Sequence, residues 1–170
     1  MAKEGVNRGI MRVLLQRVSK ARVLVEGQII RQIGPGILVF VAIGKGDGDL
    51  QIQWMTEKIL TLRIFDDSHG RLNLSLLETG GSVMVVSQFT LYGDCKKGRR
   101  PDFSSAAPVE FAKEIYEKFV QHLRAKGVLV ETGIFQALME VESTNDGPVT
   151  LWLDTPSLNG LLDGTMVGRP

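Results

Sequence analysis

Apolar runs separated by polar breaks predict that the first third of the chain forms strands. An imperfect alternation over residues 12–18 predicts one strand, and residues 22–25 and 29–33 predict a hairpin around a turn at 26–28. The unbroken apolar run at 37–43 predicts a central strand that is buried on both faces.

Two later stretches show the helical period. Residues 50–64 follow a glycine-rich turn, which we interpret as leading to an aspartate N-cap and not as a phosphate or calcium loop. The second helix has the more regular apolar face; Pro108 suits its first turn and Gly127 its end.

The remaining pattern completes a single α/β domain. Further strands are predicted at 82–89, 128–132, 138–142 and 148–153, with a hairpin-type turn at 145–147. Adjacent hairpins imply a curved, antiparallel-rich double β-sheet, barrel-like, with the two main helices covering one face. We therefore expect a flexible leader at 1–10, one domain at 11–154 and a loose C-terminal tail at 155–170.

Composition narrows the class of protein without naming a function. The 170 residues suit one domain, and no apolar run is long enough to span a membrane. Cys95 is the only cysteine, which excludes an internal disulfide; together with the lack of a secretory signal this predicts a cytoplasmic protein. The net charge is only +1, so nucleic-acid binding would need a local patch.

Candidate chemistry is concentrated directly after the apolar run at 83–86, at the end of a predicted strand. There the chain presents a hydroxyl, a carboxamide, a ring and a second hydroxyl: Ser87, Gln88, Phe89 and Thr90. A basic loop follows, with Lys96, Lys97, Arg99 and Arg100. A strand that ends in polar groups can build a site, but an ordinary strand end with a solvated loop fits the same pattern.

Familiar catalytic and metal-binding motifs are missing. The sequence has neither a Gly-x-Ser-x-Gly elbow nor a His-Glu-x-x-His helix, and its histidines, His69 and His122, lie beside no candidate nucleophile in sequence. We interpret the acidic stretch at 66–70 as a turn and expect no metal and no cofactor. An enzyme with this sequence would work by positioning and hydrogen-bond donation.

Gly147–Pro148 is a second candidate for part of a functional site. A proline that opens a strand after Asn-Asp-Gly is typical of a turn, since no ladder N–H is needed there. The alternative is a cis peptide bond, which costs only about 0.5–1 kcal/mol before proline and could direct two carbonyl groups at a ligand.

These two motifs together closely resemble the D-aminoacyl-tRNA deacylase family. The resemblance rests on 87–90 and 145–150, is supported by 16–19 and 73–76, and extends from residue 11 to about 154. It implies a homodimeric enzyme, with active sites at the subunit interface, that hydrolyses the ester between a D-amino acid and the 3′-terminal adenosine of tRNA. It also implies activity on glycine attached to non-cognate tRNA.

The resemblance further implies roles for individual residues. Gly147 and Pro148 would enter the partner's active site and exclude L side chains, with Arg17 holding their loop. The reaction centre would be formed by Ser87, Gln88, Phe89 and Thr90, with backbone N–H groups near Gln88 and Phe89 stabilising the oxyanion. We favour water attack assisted by the substrate's 2′-hydroxyl over Thr90 as nucleophile, because no base is visible to activate Thr90.

The basic loop would then contact the tRNA. Two other functions fit parts of the sequence: a non-catalytic RNA-binding module that uses the basic loop, and a dimeric esterase for small molecules. The first lacks the interleaved exposed aromatic residues of a stacking surface. Neither explains Gly147–Pro148 as well.

Overall fold

The computed structural model describes residues 10–162, which form eight strands, four α-helices and one 3₁₀ helix. The strands are Arg12–Val25 (β1), Gln28–Ile33 (β2), Gly36–Ala42 (β3), Phe65–Asp66 (β4), Leu72–Leu74 (β5), Ser82–Ser87 (β6), Val130–Thr132 (β7) and Glu140–Asp154 (β8). The helices are Asp49–Thr61 (α1), Leu76–Thr79 (α2), Val109–Ala125 (α3) and Leu158–Leu162 (α4), and the 3₁₀ helix is Phe89–Tyr92.

The main sheet is organised around β1. The hydrogen-bonded strand order is β2-β1-β3-β6-β7. β2 and β3 pair with different parts of the long strand β1, and β8 pairs along the opposite edge of β1. All three partners of β1 are antiparallel, whereas β3–β6 and β6–β7 are parallel pairs. The expected single α/β domain with a curved, barrel-like sheet is confirmed. The parallel pairs add a feature that neighbouring hairpins do not predict, because parallel strands need long crossovers, here containing α1 and α3.

Two apolar clusters pack against the two faces of β3. Ile37, Val39 and Val41 join the larger cluster, which includes residues of both α1 and α3, so both helices cover the same face. Leu38 points into the smaller cluster, which includes residues of β2 and β6. Because successive side chains of a strand alternate between faces, this arrangement confirms that β3 is buried on both sides.

The predicted hairpin turn at 145–147 is wrong. β8 is one continuous strand along β1, where Gln16 pairs with Thr150 and Val18 pairs with Asn145. Residues 146–149 therefore all lie opposite Arg17 and form a large bulge. The Asn-Asp-Gly sequence favours a chain reversal locally, but the residues on both sides of it hydrogen-bond to the same strand.

Other differences concern where elements end. Gly48, not an aspartate, is the N-cap of α1, and its N–H donates to Gln51 Oε1 at 2.9 Å. Pro108 occupies the N-cap of α3, one position before the first turn. β6 ends at Ser87, two residues earlier than expected, because the 3₁₀ helix begins at Phe89.

The chain ends need one correction. The expected loose tail includes residues that have regular contacts: Thr155 is buried, its Oγ1 accepts a hydrogen bond from Met11 N at 3.0 Å, and α4 follows. The rest of the expected tail, 163–170, and most of the expected leader, 1–9, lie outside the described residues.

A buried carboxyl group stabilises the turn between β3 and α1. Asp47 is 4% exposed, and its Oδ2 accepts a hydrogen bond from Gly44 N at 2.7 Å. Its Oδ1 is buried and has no hydrogen-bond partner within residues 10–162. Burial disfavours the charged form and raises the pKa of Asp47 to about 7, against the opposing effect of the Gly44 N–H.

Replacing Gly36 tests the close contact between β3 and β6. A Cβ atom at Gly36 would overlap the Ser82 carbonyl oxygen, whereas one at Gly34 would meet nothing within 4 Å. We expect Gly36→Ala to lower the free energy of unfolding by about 3 kcal/mol and Gly34→Ala to change it by less than about 1 kcal/mol. Urea unfolding of both variants measures this, and equal effects would contradict the close contact.

Asp47→Asn tests the raised pKa. The pKa of Asp47 is about 7 in the folded protein, and the ordinary value of 3.8 applies to the same group in the unfolded chain. The protonated carboxyl therefore contributes stability that is fully present below about pH 4 and is lost as the pH rises towards about 7. Asn cannot ionise, so the variant should be more stable than the wild type at about pH 8 and similar at about pH 4. Urea unfolding over this range measures the difference; a relative gain of wild-type stability with rising pH would contradict it.

Candidate active site

The site begins where β6 ends. Gln88 N donates to Val41 O at 2.8 Å, which continues the pairing with β3 by one residue beyond the strand. The chain then turns into the 3₁₀ helix, and the Gln88 side-chain amide donates to Thr90 Oγ1. Because β6 and β3 are central strands, this polar turn stands on a rigid support.

A cleft of about 600 Å³ opens beside this turn. Ser87, Gln88 and Phe89 line one side, and Phe89 packs edge-to-face on Phe103 with 5.2 Å between the ring centroids. The other residues that line it are Ile43, Val86, Ala106, Ala107, Val109, Ala112, Phe135, Gln136, Ala137, Leu138, Met139 and Val141. None of these lining residues has an ionisable side chain, so within the described chain the cleft offers hydrogen bonds and apolar surface but no acid or base.

The structure separates the four predicted reaction-centre residues. Ser87, Gln88 and Phe89 line the cleft, whereas Thr90 is not among its lining residues, and its hydroxyl accepts the hydrogen bond from Gln88. The Gln88 backbone N–H is already bonded to Val41 O, so it is not available to an oxyanion. The N–H groups of Phe89 and Thr90 lie in the first turn of the 3₁₀ helix, where backbone donors have no partner within the helix.

The opposite wall was missed by the sequence reasoning. It comes from residues 133–139, between β7 and β8, part of which was predicted to begin a strand. Ile134 N donates to Met139 Sδ at 3.3 Å, and Leu138 at the rim is 94% exposed. An apolar residue such as Leu138 does not by itself indicate a binding site in the sequence. Its exposure becomes informative only when its position beside the cleft is known.

Gly147 and Pro148 form the outer part of the bulge in β8. Their peptide bond is cis, and both residues are exposed. Arg17 lies buried beneath them: its Nε donates to Asp146 O at 2.8 Å and its Nη1 to Ile64 O at 2.9 Å. The Asp66 carboxylate lies 3.6 Å from Nη1. Arg17 thus joins the bulge to the segment that follows α1.

The two motifs do not meet within one chain. Gly147 and Pro148 are not among the residues that line the cleft, although Val141, on the same strand, is. The bulge presents its cis peptide to the outside of the molecule. A single chain therefore contains a cleft and a separate, firmly held exposed bulge.

The basic loop follows the 3₁₀ helix. Asp94 and Asp102 close it by exchanging backbone hydrogen bonds of 2.8 and 2.9 Å. Its four cations are exposed, and none forms an ion pair with another described residue: Lys96, Lys97, Arg99 and Arg100. Phe103, just after the loop, lines the cleft, so the loop is followed in the chain by one wall of the cleft.

Residues 66–70 form the expected polar turn. Asp67 Oδ1 accepts hydrogen bonds from His69 N at 2.8 Å and Arg71 N at 3.1 Å, and these bonds lower the pKa of Asp67. Within residues 10–162, no group of three or more histidine, cysteine, aspartate or glutamate side chains is arranged to hold a metal ion. None of the helices in this range is long and apolar enough to cross a membrane.

Comparison with known proteins finds relatives that match most of the chain. The model of the family described as D-Tyr-tRNA(Tyr) deacylase matches residues 14–154. D-aminoacyl-tRNA deacylase of Fervidobacterium nodosum is 56% identical over 85% of this chain and 97% of its own length. That of Thermomicrobium roseum is 53% identical over 88% of this chain and 97% of its own.

Two solved structures have the same fold. One, described as a c-Myc DNA unwinding element binding protein, is 39% identical, with a TM-score of 0.81 over 86% of this chain and 99% of that chain. The other, a probable eukaryotic D-amino acid tRNA deacylase, is 20% identical with a TM-score of 0.76, over 86% of this chain and 100% of that chain, and shows likeness of fold alone. The identification made from the two sequence motifs is confirmed: the chain belongs to the D-Tyr-tRNA(Tyr) deacylase family.

Proposed function

We propose that this hydrolase cleaves the ester between a D-amino acid and the 3′-terminal adenosine of tRNA in the cytoplasm. The observation that carries the proposal is the cleft at the end of β6, where Ser87 and Gln88 lie among apolar residues without any ionisable side chain. The relatives that match nearly the whole chain are named D-aminoacyl-tRNA deacylases.

An uncharged cleft suits an ester that is already reactive. With no general base in the lining, the attacking water is activated by the ribose 2′-hydroxyl of the substrate. The N–H group of Phe89 stabilises the oxyanion, and a donor of this kind contributes about 3 kcal/mol to the transition state. The Phe89–Phe103 pair offers aromatic surface on which the terminal base stacks.

Selection against L-amino acids comes from the bulge of a second subunit. The cis Gly147–Pro148 peptide is exposed, is held by Arg17, and does not reach the cleft of its own chain. Inserted into the partner's cleft, its carbonyl groups occupy the space that an L side chain needs. Mirror-image substrates carry the same groups, so exclusion discriminates better than attraction. Glycine has no side chain and passes this check, so glycyl-tRNA is also a substrate.

The face of β1 and its neighbours supports a homodimer. Leu14 lies directly opposite Phe40 on β3 and Trp152 on β8, so the three side chains share one face of the sheet. Trp152 is 49% exposed, and the other two are half-buried. This apolar row crosses β3, β1 and β8, and β8 also carries the bulge. Such a row is a suitable contact surface for a second copy of the chain.

The basic loop contacts the tRNA backbone beside the cleft. None of its four exposed cations forms an ion pair with another residue in the range 10–162, which leaves them available to phosphate groups. A non-catalytic RNA-binding module would use the same loop, and a release assay distinguishes the two functions.

The wild-type protein tests the function directly. We expect D-Tyr-tRNA to be deacylated at least about 100-fold faster than L-Tyr-tRNA, because only the L side chain meets the bulge. Release of labelled tyrosine under single-turnover conditions measures both rates. Equal rates would refute chiral selection, and no release from either substrate would favour the binding module.

Thr90→Ala tests the choice of nucleophile. We expect the single-turnover rate to stay within about tenfold of wild type, whereas loss of a true nucleophile costs a factor of about 10⁴ or more.

The control for Thr90→Ala removes the 2′-hydroxyl from the substrate and uses the wild-type protein. A D-aminoacyl-tRNA ending in 2′-deoxyadenosine should be hydrolysed about 100-fold more slowly by the wild type, since it lacks the assisting hydroxyl. Full activity on the deoxy substrate, together with loss of activity in Thr90→Ala, would reverse the assignment.

A further inference from the structure

A second pocket, of about 500 Å³, lies behind one wall of the cleft. Lys45 and Lys96 line it from two different segments, with Arg12 and Tyr92 beside them. We propose that this pocket, called here the lysine pocket, binds a backbone phosphate of the single-stranded tRNA end, 5′ to the terminal adenosine. The inference rests on the proposed function and adds a binding site to it.

The position of the lysine pocket follows from two chain segments that it shares with the cleft. Ile43 and Ala106 line the cleft, while their neighbours Gly44 and Ser105 line the lysine pocket. Gly44 and Ala106 form an antiparallel bridge, and Ala107 N donates to Ile43 O at 3.0 Å. Neighbouring residues of an extended chain are about 3.3 Å apart, so the linings of the cleft and the pocket adjoin. A strand of RNA that leaves the cleft on this side therefore reaches the pocket within its first nucleotides.

The charge of the pocket comes from its two lysines. Arg12 is already committed: it pairs with Asp154 at 3.2 Å and lies 4.7 Å from the centroid of the Tyr92 ring. Lys45 Nζ donates one hydrogen bond to Ser104 O at 2.6 Å and keeps two further donors. Lys96 is exposed and forms no ion pair with another described residue.

Acidic groups lie near the lysines but are also engaged. Asp94 lines the pocket, and its Oδ1 accepts a hydrogen bond from Lys96 N at 3.0 Å. Hydrogen bonds from the Ser104 hydroxyl and backbone N–H lower the pKa of Asp102, and the nearby Lys45 lowers it further. The lysine ammonium groups therefore keep donors for an external anion.

The floor of the pocket is formed before any ligand binds. The Tyr92 hydroxyl donates to the Ile10 carbonyl, and Gly44 lies directly against it, since a Cβ at Gly44 would overlap the Tyr92 oxygen. A fixed floor with two lysines at the side presents a concave site, whereas the other three cations of the basic loop do not line this pocket.

A double variant, Lys45→Ala with Lys96→Ala, tests the lysine pocket on two substrates. With D-aminoacyl-tRNA we expect kcat/KM to fall about tenfold at unchanged kcat, and the log–log salt slope to weaken by about 0.7 for each phosphate group that is no longer bound. With D-aminoacyl-adenosine, which has no 5′ phosphate, kcat/KM should stay within about twofold of wild type.

Lys126→Ala is the matched control. Lys126 follows the end of α3, whose first residue, Val109, lines the cleft. The 17 residues of α3 place it about 25 Å away, and its ion pair is with Glu57 on α1. This variant removes one lysine charge far from the cleft and should leave the activity on both substrates unaffected.

Two outcomes of the kinetic test overturn the inference. If neither substrate changes, the lysines are merely solvated; if both lose activity equally, the lysines shape the cleft and bind no phosphate. A wild type without deacylase activity would refute the proposed function instead. In that case the lysine pocket is tested by comparing the affinity of the protein for the terminal trinucleotide of tRNA, without an amino acid, with its affinity for adenosine. Weaker trinucleotide binding by the double variant supports the pocket, and unchanged binding overturns it.

Discussion

Arg17 and its hydrogen bonds are the interaction on which the rest of the molecule depends. β1 pairs with β2, β3 and β8, and Arg17 lies in this strand opposite the whole bulge of β8. A buried guanidinium is costly without partners, and Arg17 obtains them from the Asp146 and Ile64 carbonyl groups. The same bonds that satisfy the buried charge hold Gly147 and Pro148 in position on the surface.

In contrast to the surroundings of Arg17, the cleft is lined by described residues that carry no charged side chain. No ionisable side chain is found among its lining residues, and its polar groups come from Ser87, Gln88, Gln136 and the start of the 3₁₀ helix. In surroundings without competing charges, oriented N–H donors act more strongly on a developing negative charge than donors in water do. Cations lie outside the cleft lining, on the basic loop and in the lysine pocket.

Much of the fold and part of the site could be predicted because they depend on local patterns. The apolar run of β3 and the regular period of α3 identified both elements, and the end of β6 was identified as a candidate site from its abrupt change in polarity. The rest depends on distant partners: Gln88 N bonds to Val41 O, and the second wall of the cleft comes from residues 133–139. Sequence spacing contains no signal for either.

The sequence alone determined the family, the central strand, the helical face and the candidate residues, since adjacent side chains express these through periodicity and motif. Only the tertiary structure decided that residues 146–149 form a bulge and not part of a hairpin, and that β3–β6 and β6–β7 are parallel. It also decided that Thr90 lies outside the cleft lining. The physical reason is that a backbone hydrogen bond is satisfied by whichever strand packs alongside, and packing is a property of the whole chain.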